Sequence, residues 1–292
     1  MEKIKFIADT ASDIPDSDLA EYHIDLPSVP IVVDGAEYFE RKSFSIQEFY
    51  DILINSKEIP VTSRVPLADF LACYQNAYKE GYTDVICVTI NAGGSGTNAS
   101  AVMARDHFYA EFPEAKGVMS IHIVDSRTYS MAFGYPVVQA AQKARDGAST
   151  AEILAYLEDW FGRVEILLGC YSLEYARKSG RIGAATAFVG DMLGLRPVIA
   201  MVDGQTKTVA KVRGDKNLTG LIMSSLKDKT KTTPEGLFII CGQGEGSAEE
   251  LQGMIQDTYG VEAPFYHAGA SIAINAGPQI VAVVYLADSP RS

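Results

Sequence analysis

Between two patterned segments, the apolar run Val85 to Ile90 and a helical stretch beginning near Thr97, the chain reads Asn91-Ala92-Gly93-Gly94-Ser95-Gly96-Thr97. Residues of these types in this order can hold an oxyanion. Three glycines let a ligand approach the backbone, two hydroxyls can donate to it, and the first amides of the following helix have no intrahelical partners. Two other segments offer similar chemistry: Asp9-Thr10-Ala11-Ser12-Asp13 after the run Ile4 to Ala8, and Asp125-Ser126-Arg127-Thr128 after Ser120 to Val124. Small polar groups thus gather where strands end. In an open parallel sheet the carboxyl edge is where ligands bind, so the three loops are expected to face one crevice. The plainer alternative, that Asp13 and Asp125 only cap the helices after them, stays open at this point.

Other chemistries fit less well. As a nucleophile Ser95 would need a base, yet of the four histidines, His23, His107, His122 and His267, none pairs with it locally, His107 on the helix and His122 in a strand reading as structural, and Thr97 takes the last place of a G-x-S-x-G pattern. No H-E-x-x-H, Walker or His/Cys metal spacing occurs, so no catalytic set and no metal site is expected. Gly242-Gln243-Gly244-Glu245-Gly246-Ser247 only superficially matches a dinucleotide turn: its third glycine comes one position early and Glu245 would oppose a pyrophosphate. A plain strand-to-helix turn is expected there, and no cofactor. Arg177-Lys178-Ser179-Gly180-Arg181 is a dense basic cluster in an acidic chain, either a solvated turn or one side of a carboxylate or phosphate site.

The elements that must position these groups change in texture along the chain. In the first half, strand-like runs at Ile4 to Ala8, Val29 to Val33, Val85 to Ile90 and Ser120 to Val124 alternate with helical patterns, which implies a mostly parallel sheet with helices on both faces. Ser45 followed by Glu48 marks a capped helix reaching about Asn55. Beyond residue 160 come a strand at Val164 to Tyr171 and a hairpin, Arg196 to Val202 against Thr206 to Val212, turning at Asp203-Gly204. Strands at Leu237 to Cys241 and Ile280 to Leu286, with helices near 218–225 and 248–257, complete an α+β pattern. Two domains are expected, 1–160 carrying the polar loops and 161–292 with the α+β pattern.

Composition excludes some classes. Of 292 residues, 25 are Lys or Arg and 37 Asp or Glu, a net charge of −12 that argues against general affinity for nucleic acid. The amino-terminal residues reach acidic Glu2 and Asp9 too soon for a signal peptide, and no apolar run is long enough to span a membrane, so a cytoplasmic location is expected. Cys73, Cys87, Cys170 and Cys241 are widely spaced, as reduced core thiols would be.

Taken in order, the segments resemble the DegV family of bacterial fatty-acid-binding proteins. Asp9-Thr10-Ala11-Ser12-Asp13-Ile14-Pro15 is similar to its opening D-S-x-x-D-L-P, Thr62-Ser63 with Pro66 to its T-S-Q-P-S, and Gly94-Ser95-Gly96-Thr97 to its S-G-T turn. Val124-Asp125-Ser126 continues the pattern, Leu173 to Ile182 resembles L-x-Y-L-R-K-G-G-R-I, and Leu195 to Ile199 resembles I-K-P-I-L.

The resemblance implies a two-domain α/β protein that binds one long-chain fatty acid in an interdomain tunnel, its carboxylate on the loops of 1–160 and 161–292 closing over it. It would present the carboxylate to a separate fatty-acid kinase in a route to phospholipid, without catalysing a reaction itself. Carried over by position, Thr62, Ser63, Ser95, Gly96, Thr97 and Ser126 would surround the head group, and Arg177 and Asn275 would approach it from the second domain. Asn275 stands where the family's G-x-H-x-G-P-G has histidine, and Arg64 where T-S-Q-P-S has glutamine. His267 is a weaker substitute for that histidine, aligning with the start of the preceding strand. The partners implied are a fatty acid and a kinase subunit, with transient membrane contact left open. Burying about 14 methylenes at roughly 0.8 kcal/mol each supplies on the order of 11 kcal/mol before association costs. An acyl hydrolase using Ser95 is the competing reading.

Overall fold

The computed structural model describes residues 2–183, 194–230 and 235–289. Its first elements are strand β1 (Ile4–Ala8), helix α1 (Asp16–Tyr22), β2 (Pro30–Val33), β3 (Ala36–Phe39), α2 (Ile46–Asn55), β4 (Val61–Thr62), α3 (Leu67–Lys79) and β5 (Asp84–Thr89). Next come α4 (Thr97–Glu111), β6 (Ser120–Asp125), α5 (Met131–Arg145), α6 (Thr150–Arg163), β7 (Val164–Cys170), α7 (Glu174–Ser179), β8 (Leu195–Val202) and β9 (Gln205–Arg213). The last described are α8 (Leu218–Lys229), β10 (Phe238–Cys241), α9 (Gly246–Tyr259), β11 (Phe265–His267), α10 (Ala270–Ala276) and β12 (Ile280–Leu286).

The chain divides into two compact units. One comprises Met1–Ile31, Glu37–Ser43 and Thr62–Phe161; the other comprises Val32–Ala36, Phe44–Val61 and Gly162–Ser292. A single cut near residue 160 therefore misses the early excursion of residues 44–61 into the second unit. Helix α2 explains it. Its Phe49, Tyr50 and Leu53 are buried, and the Tyr50 hydroxyl donates to the Ala268 carbonyl at 2.7 Å.

In the first unit β1, β5 and β6 form a parallel sheet with β5 at its centre. Successive residues of a strand point to opposite faces, and Val85, Ile86, Cys87 and Val88 are all fully buried, so both faces of the sheet are covered. On α4, Ala101, Ala104 and Phe108 form a buried stripe at spacings of three and four. Strand β2 occupies the expected run at 29–33 but does not join this sheet; it lies between β3 and β4 in a third sheet. The outer edge of β1 is already taken. Asp25 exchanges backbone hydrogen bonds with Phe6 and Ala8, and the Thr10 amide donates to the Pro27 carbonyl.

The second unit holds a six-stranded sheet of order β11-β10-β12-β7-β8-β9, antiparallel except for the β10–β11 pair. Leu167, Val198, Ile239 and Val283 from its strands pack with Ile222 and Leu226 of α8 and Leu251 and Ile255 of α9 in one core. At the β8–β9 turn, Asp203 and Gly204 have φ of 50° and 72°, the left-handed pair that a tight hairpin requires. The fold is thus mixed α/β, a parallel sheet in one unit and a separate, mostly antiparallel sheet in the other.

Candidate functional site

The turn between β5 and α4 is tied from three directions. Asp9, after β1, accepts the Ile90 amide at 2.8 Å; Asp125, ending β6, accepts the Ala92 amide at 2.9 Å; and the Asn91 side chain donates to the Tyr129 hydroxyl at 2.6 Å. The Asn91 amide donates to Thr128, and Gly93 to the Asn91 side chain. The three loops at the strand ends are therefore one hydrogen-bonded assembly. Neither Asp13 nor Asp125 caps the helix after it, since Pro15 and Ser130 hold those positions; instead Ser130 donates to buried Asp13, and Asp125 also accepts the Arg127 amide at 3.0 Å.

This bracing spends much of the turn's donor capacity. Gly94 and Ser95 both donate to the Asn91 carbonyl, and Thr97 donates to Ser95 Oγ at 3.2 Å. Among the described residues the amides of Gly96, Asn98 and Ala99 keep no acceptor, as expected for a first helical turn. The hydroxyls add one more donor. Thr97 Oγ1 accepts the Val65 amide at 3.2 Å and lies 2.9 Å from Ser95 Oγ. One hydroxyl must donate to the other, which leaves a single spare hydrogen, and Thr97 is buried whereas Ser95 is only half-buried. The arrangement that uses both groups has Thr97 donating to Ser95 and Ser95 donating outward.

The expected residues are not equally placed. Thr97, through Val65, brings the segment holding Thr62 and Ser63 beside the turn, where half-buried Thr62 has no side-chain hydrogen bond among the described residues. Ser63 is exposed, its amide bound to Pro30. Gly96 is exposed and lies under the Arg64 side chain. Ser126 is fully buried, and its hydroxyl is occupied by the amide and carbonyl of Thr128, so it shapes its own loop. Tyr129 was not anticipated. Its hydroxyl is so close to Gly94 that a β-carbon there would stand 2.9 Å from it, and burial raises the phenol's pKa above the ordinary value. A tyrosine three residues past Ser126 has no periodic signature to mark it.

In the second unit Arg177 is exposed on α7, which ends at Gly180 in the left-handed region. That helix packs on α10: Ser179 Oγ donates to the Asn275 carbonyl at 3.4 Å, and a β-carbon on Gly277 would stand 3.3 Å from the Tyr175 ring. Arg177 and Asn275 are thus carried by paired helices. The Asn275 amide donates to Ser271, one turn back, at 2.6 Å. His267 closes strand β11 rather than opening it, and its ring is held by the Gly242 carbonyl and Glu245 at 3.1 and 3.0 Å. The turn at 242–247 is a strand-to-helix connection in which Gly242 and Gln243 donate to Ile280 and Pro278.

A family model described as uncharacterised protein, DegV family, matches residues 3–288. The chain belongs to the DegV family. A DegV domain-containing protein of Clostridium acetobutylicum is 28% identical over 97% of each chain, and another from Clostridium perfringens is 27% identical over 98% of this chain and 99% of its own. Among solved DegV structures, a fatty-acid-binding protein of Thermus thermophilus superposes with a TM-score of 0.84 at 24% identity, covering 98% of this chain and 99% of that one. A stearic-acid-binding protein of Eubacterium ventriosum gives 0.86 at 21% identity, over 98% of each. The DegV fold of this chain follows from these likenesses. No described helix is long and apolar enough to cross a membrane, and no described group of three His, Cys, Asp or Glu is placed to hold a metal. Burial pushes the thiol pKa of Cys73 and Cys170 up to about 12 and that of Cys241 to about 11, which disfavours the reactive thiolate; Cys170 and Cys241 are buried and Cys73 is half-buried.

Proposed function

We propose that this DegV protein binds one long-chain fatty acid, with its carboxylate on the Ser95 turn, and presents that carboxylate to a separate ATP-dependent kinase. The observation that carries the reading is the donor set left over after the turn has braced itself: the outward hydrogen of Ser95 with the amides of Gly96, Asn98 and Ala99 at a helix start. Such a set suits a carboxylate, which only accepts. The fatty acids held by the Thermus and Eubacterium relatives support the choice of ligand. Thr62 would add a second hydroxyl, and Arg177 and Asn275 would meet the head group from the other unit across a two-domain arrangement.

Hydrolysis is the weaker alternative because the partners of Ser95 Oγ are the hydroxyl and amide of Thr97, neither of which is a base. Solvent extraction of the purified protein followed by mass spectrometry tests the binding reading. A single bound fatty-acid class is expected, whereas an empty protein that also fails to take up added fatty acid would overturn it. Acyl-phosphate formation upon adding a fatty-acid kinase and ATP tests presentation. Release of chromophore from an acyl ester would favour the hydrolase instead.

A further inference from the structure

The donors of the Ser95 turn are neutral. A carboxylate drawn out of water onto neutral donors alone lacks a counter-charge, and that is costly. Arg64 supplies a charge in the same unit. Its stem crosses the turn at Gly96, where an added β-carbon would stand 3.0 Å from Arg64 Cδ, 3.6 Å from Cβ and 3.8 Å from Nη1. The backbone beneath is fixed, because the next residue, Val65, donates its amide to Thr97 Oγ1. Among the described residues the Arg64 guanidinium has neither a hydrogen bond nor an ion pair.

We infer that Arg64 is a head-group residue, its guanidinium pairing with the ligand carboxylate beside Ser95. The inference rests on the reading of this turn as a fatty-acid carboxylate site. Three observations lead to it. The exposed arginine lays its stem over the turn yet has no partner at its tip among the described residues; its fork matches two carboxylate oxygens; and it sits beside hydroxyl and amide donors in a chain whose net charge is −12. On the same unit Arg41 pairs with Asp16, Arg105 with Asp106 and Arg145 with Glu21. Asn275 is neutral, so Arg64 also gives the site a cation that Asn275 does not provide. The structural effect of Gly96 fits the same role: any side chain there would displace the arginine stem.

The experiment titrates delipidated wild type, Arg64→Gln, Arg64→Lys and Ser95→Ala with palmitate and with 1-hexadecanol, which has the chain without the charge. Circular dichroism confirms that each variant is folded. Arg64→Gln should bind palmitate about ten-fold to a hundred-fold more weakly, the loss expected for a hydrogen bond to a charged group. Its affinity for hexadecanol should not change. Arg64→Lys should retain part of the palmitate affinity, and added salt should weaken wild type more than Arg64→Gln. Palmitate affinity unchanged in Arg64→Gln, with a clear loss in Ser95→Ala, would remove Arg64 from the site and leave the fatty-acid reading intact. Equal losses for palmitate and hexadecanol would also overturn the charge pairing. Wild type that binds neither lipid would overturn both readings together.

Discussion

Asp9 and Ile90 directly follow the neighbouring parallel strands β1 and β5, and the Asp9 carboxylate accepts the Ile90 amide at 2.8 Å immediately ahead of the Ser95 turn. Asp9 is fully buried. Burial is the main reason its pKa rises from the ordinary 3.8 to about 7; the amides of Ile90 and Ala11 pull it down, and the nearby charge of Glu40 adds to the rise. The folded state therefore favours a protonated Asp9. Stability from this group is complete below about pH 4, declines as pH rises and is lost above about pH 7. At about 1.36 kcal/mol per pH unit the loss is on the order of 4 kcal/mol. Urea unfolding between pH 5 and 8 should show wild-type stability falling with pH, and Asp9→Asn should flatten that slope. Parallel slopes in the two proteins would show that the Asp9 carboxyl is ionised throughout.

Trp160 performs a repair within helix α5. Pro136 has no amide hydrogen, so the Ala132 carbonyl one turn back loses its helical donor, and the Trp160 indole supplies one at 3.0 Å. Trp160→Phe leaves that buried carbonyl unpaired and should cost about 1–3 kcal/mol in chemical denaturation. In a Pro136→Ala background residue 136 can donate again, so the same substitution should cost measurably less. Additive losses in the double mutant would show that the two positions are independent.

The regular elements were readable because their signals are local. Ser45 and Glu48 form the full capping box, with the Ser45 amide donating to Glu48 at 2.8 Å, and Asp203-Gly204 makes the hairpin. The strand at 29–33 was visible as a strand but not in its pairing, since residues 25–27, which carry no strand-like run, close the edge of β1 first. The site was legible as three loops. How they fasten together was not: the bonds from Asp125 to Ala92 and from Asn91 to Tyr129 join positions more than 30 residues apart, without any period. For the same reason Ser126 looked like a ligand donor, whereas its hydroxyl turns back on Thr128.

Ser95→Ala removes the outward donor of the turn, and Thr62→Ala removes a hydroxyl that has no internal partner among the described residues. Each should weaken fatty-acid binding by on the order of 1.5–3 kcal/mol in calorimetry, the range for hydrogen bonds to a charged group. Their effects on stability should differ. Ser95 also accepts the Thr97 amide at the start of α4, so its loss should cost about 1 kcal/mol of folding free energy, while Thr62→Ala should be close to neutral. Full affinity in the double mutant would place the head group elsewhere.

Asn275 tests the contribution of the second unit. Its side-chain amide donates to the Ser271 carbonyl at 2.6 Å, and Asn carries no charge at any pH, so fatty-acid affinity should show no histidine-like titration from this position. Asn275→His should introduce one. An imidazole near the bound carboxylate is stabilised in its protonated form, which raises its pKa on binding; affinity should therefore be highest below about pH 5.5 and fall as pH rises past the ordinary value of about 6.5. Titrating palmitate into wild type and Asn275→His across that range makes the comparison. Identical pH profiles would mean that position 275 does not face the head group, and the correspondence of Ala273 to Gln279 with the family's G-x-H-x-G-P-G would then fail.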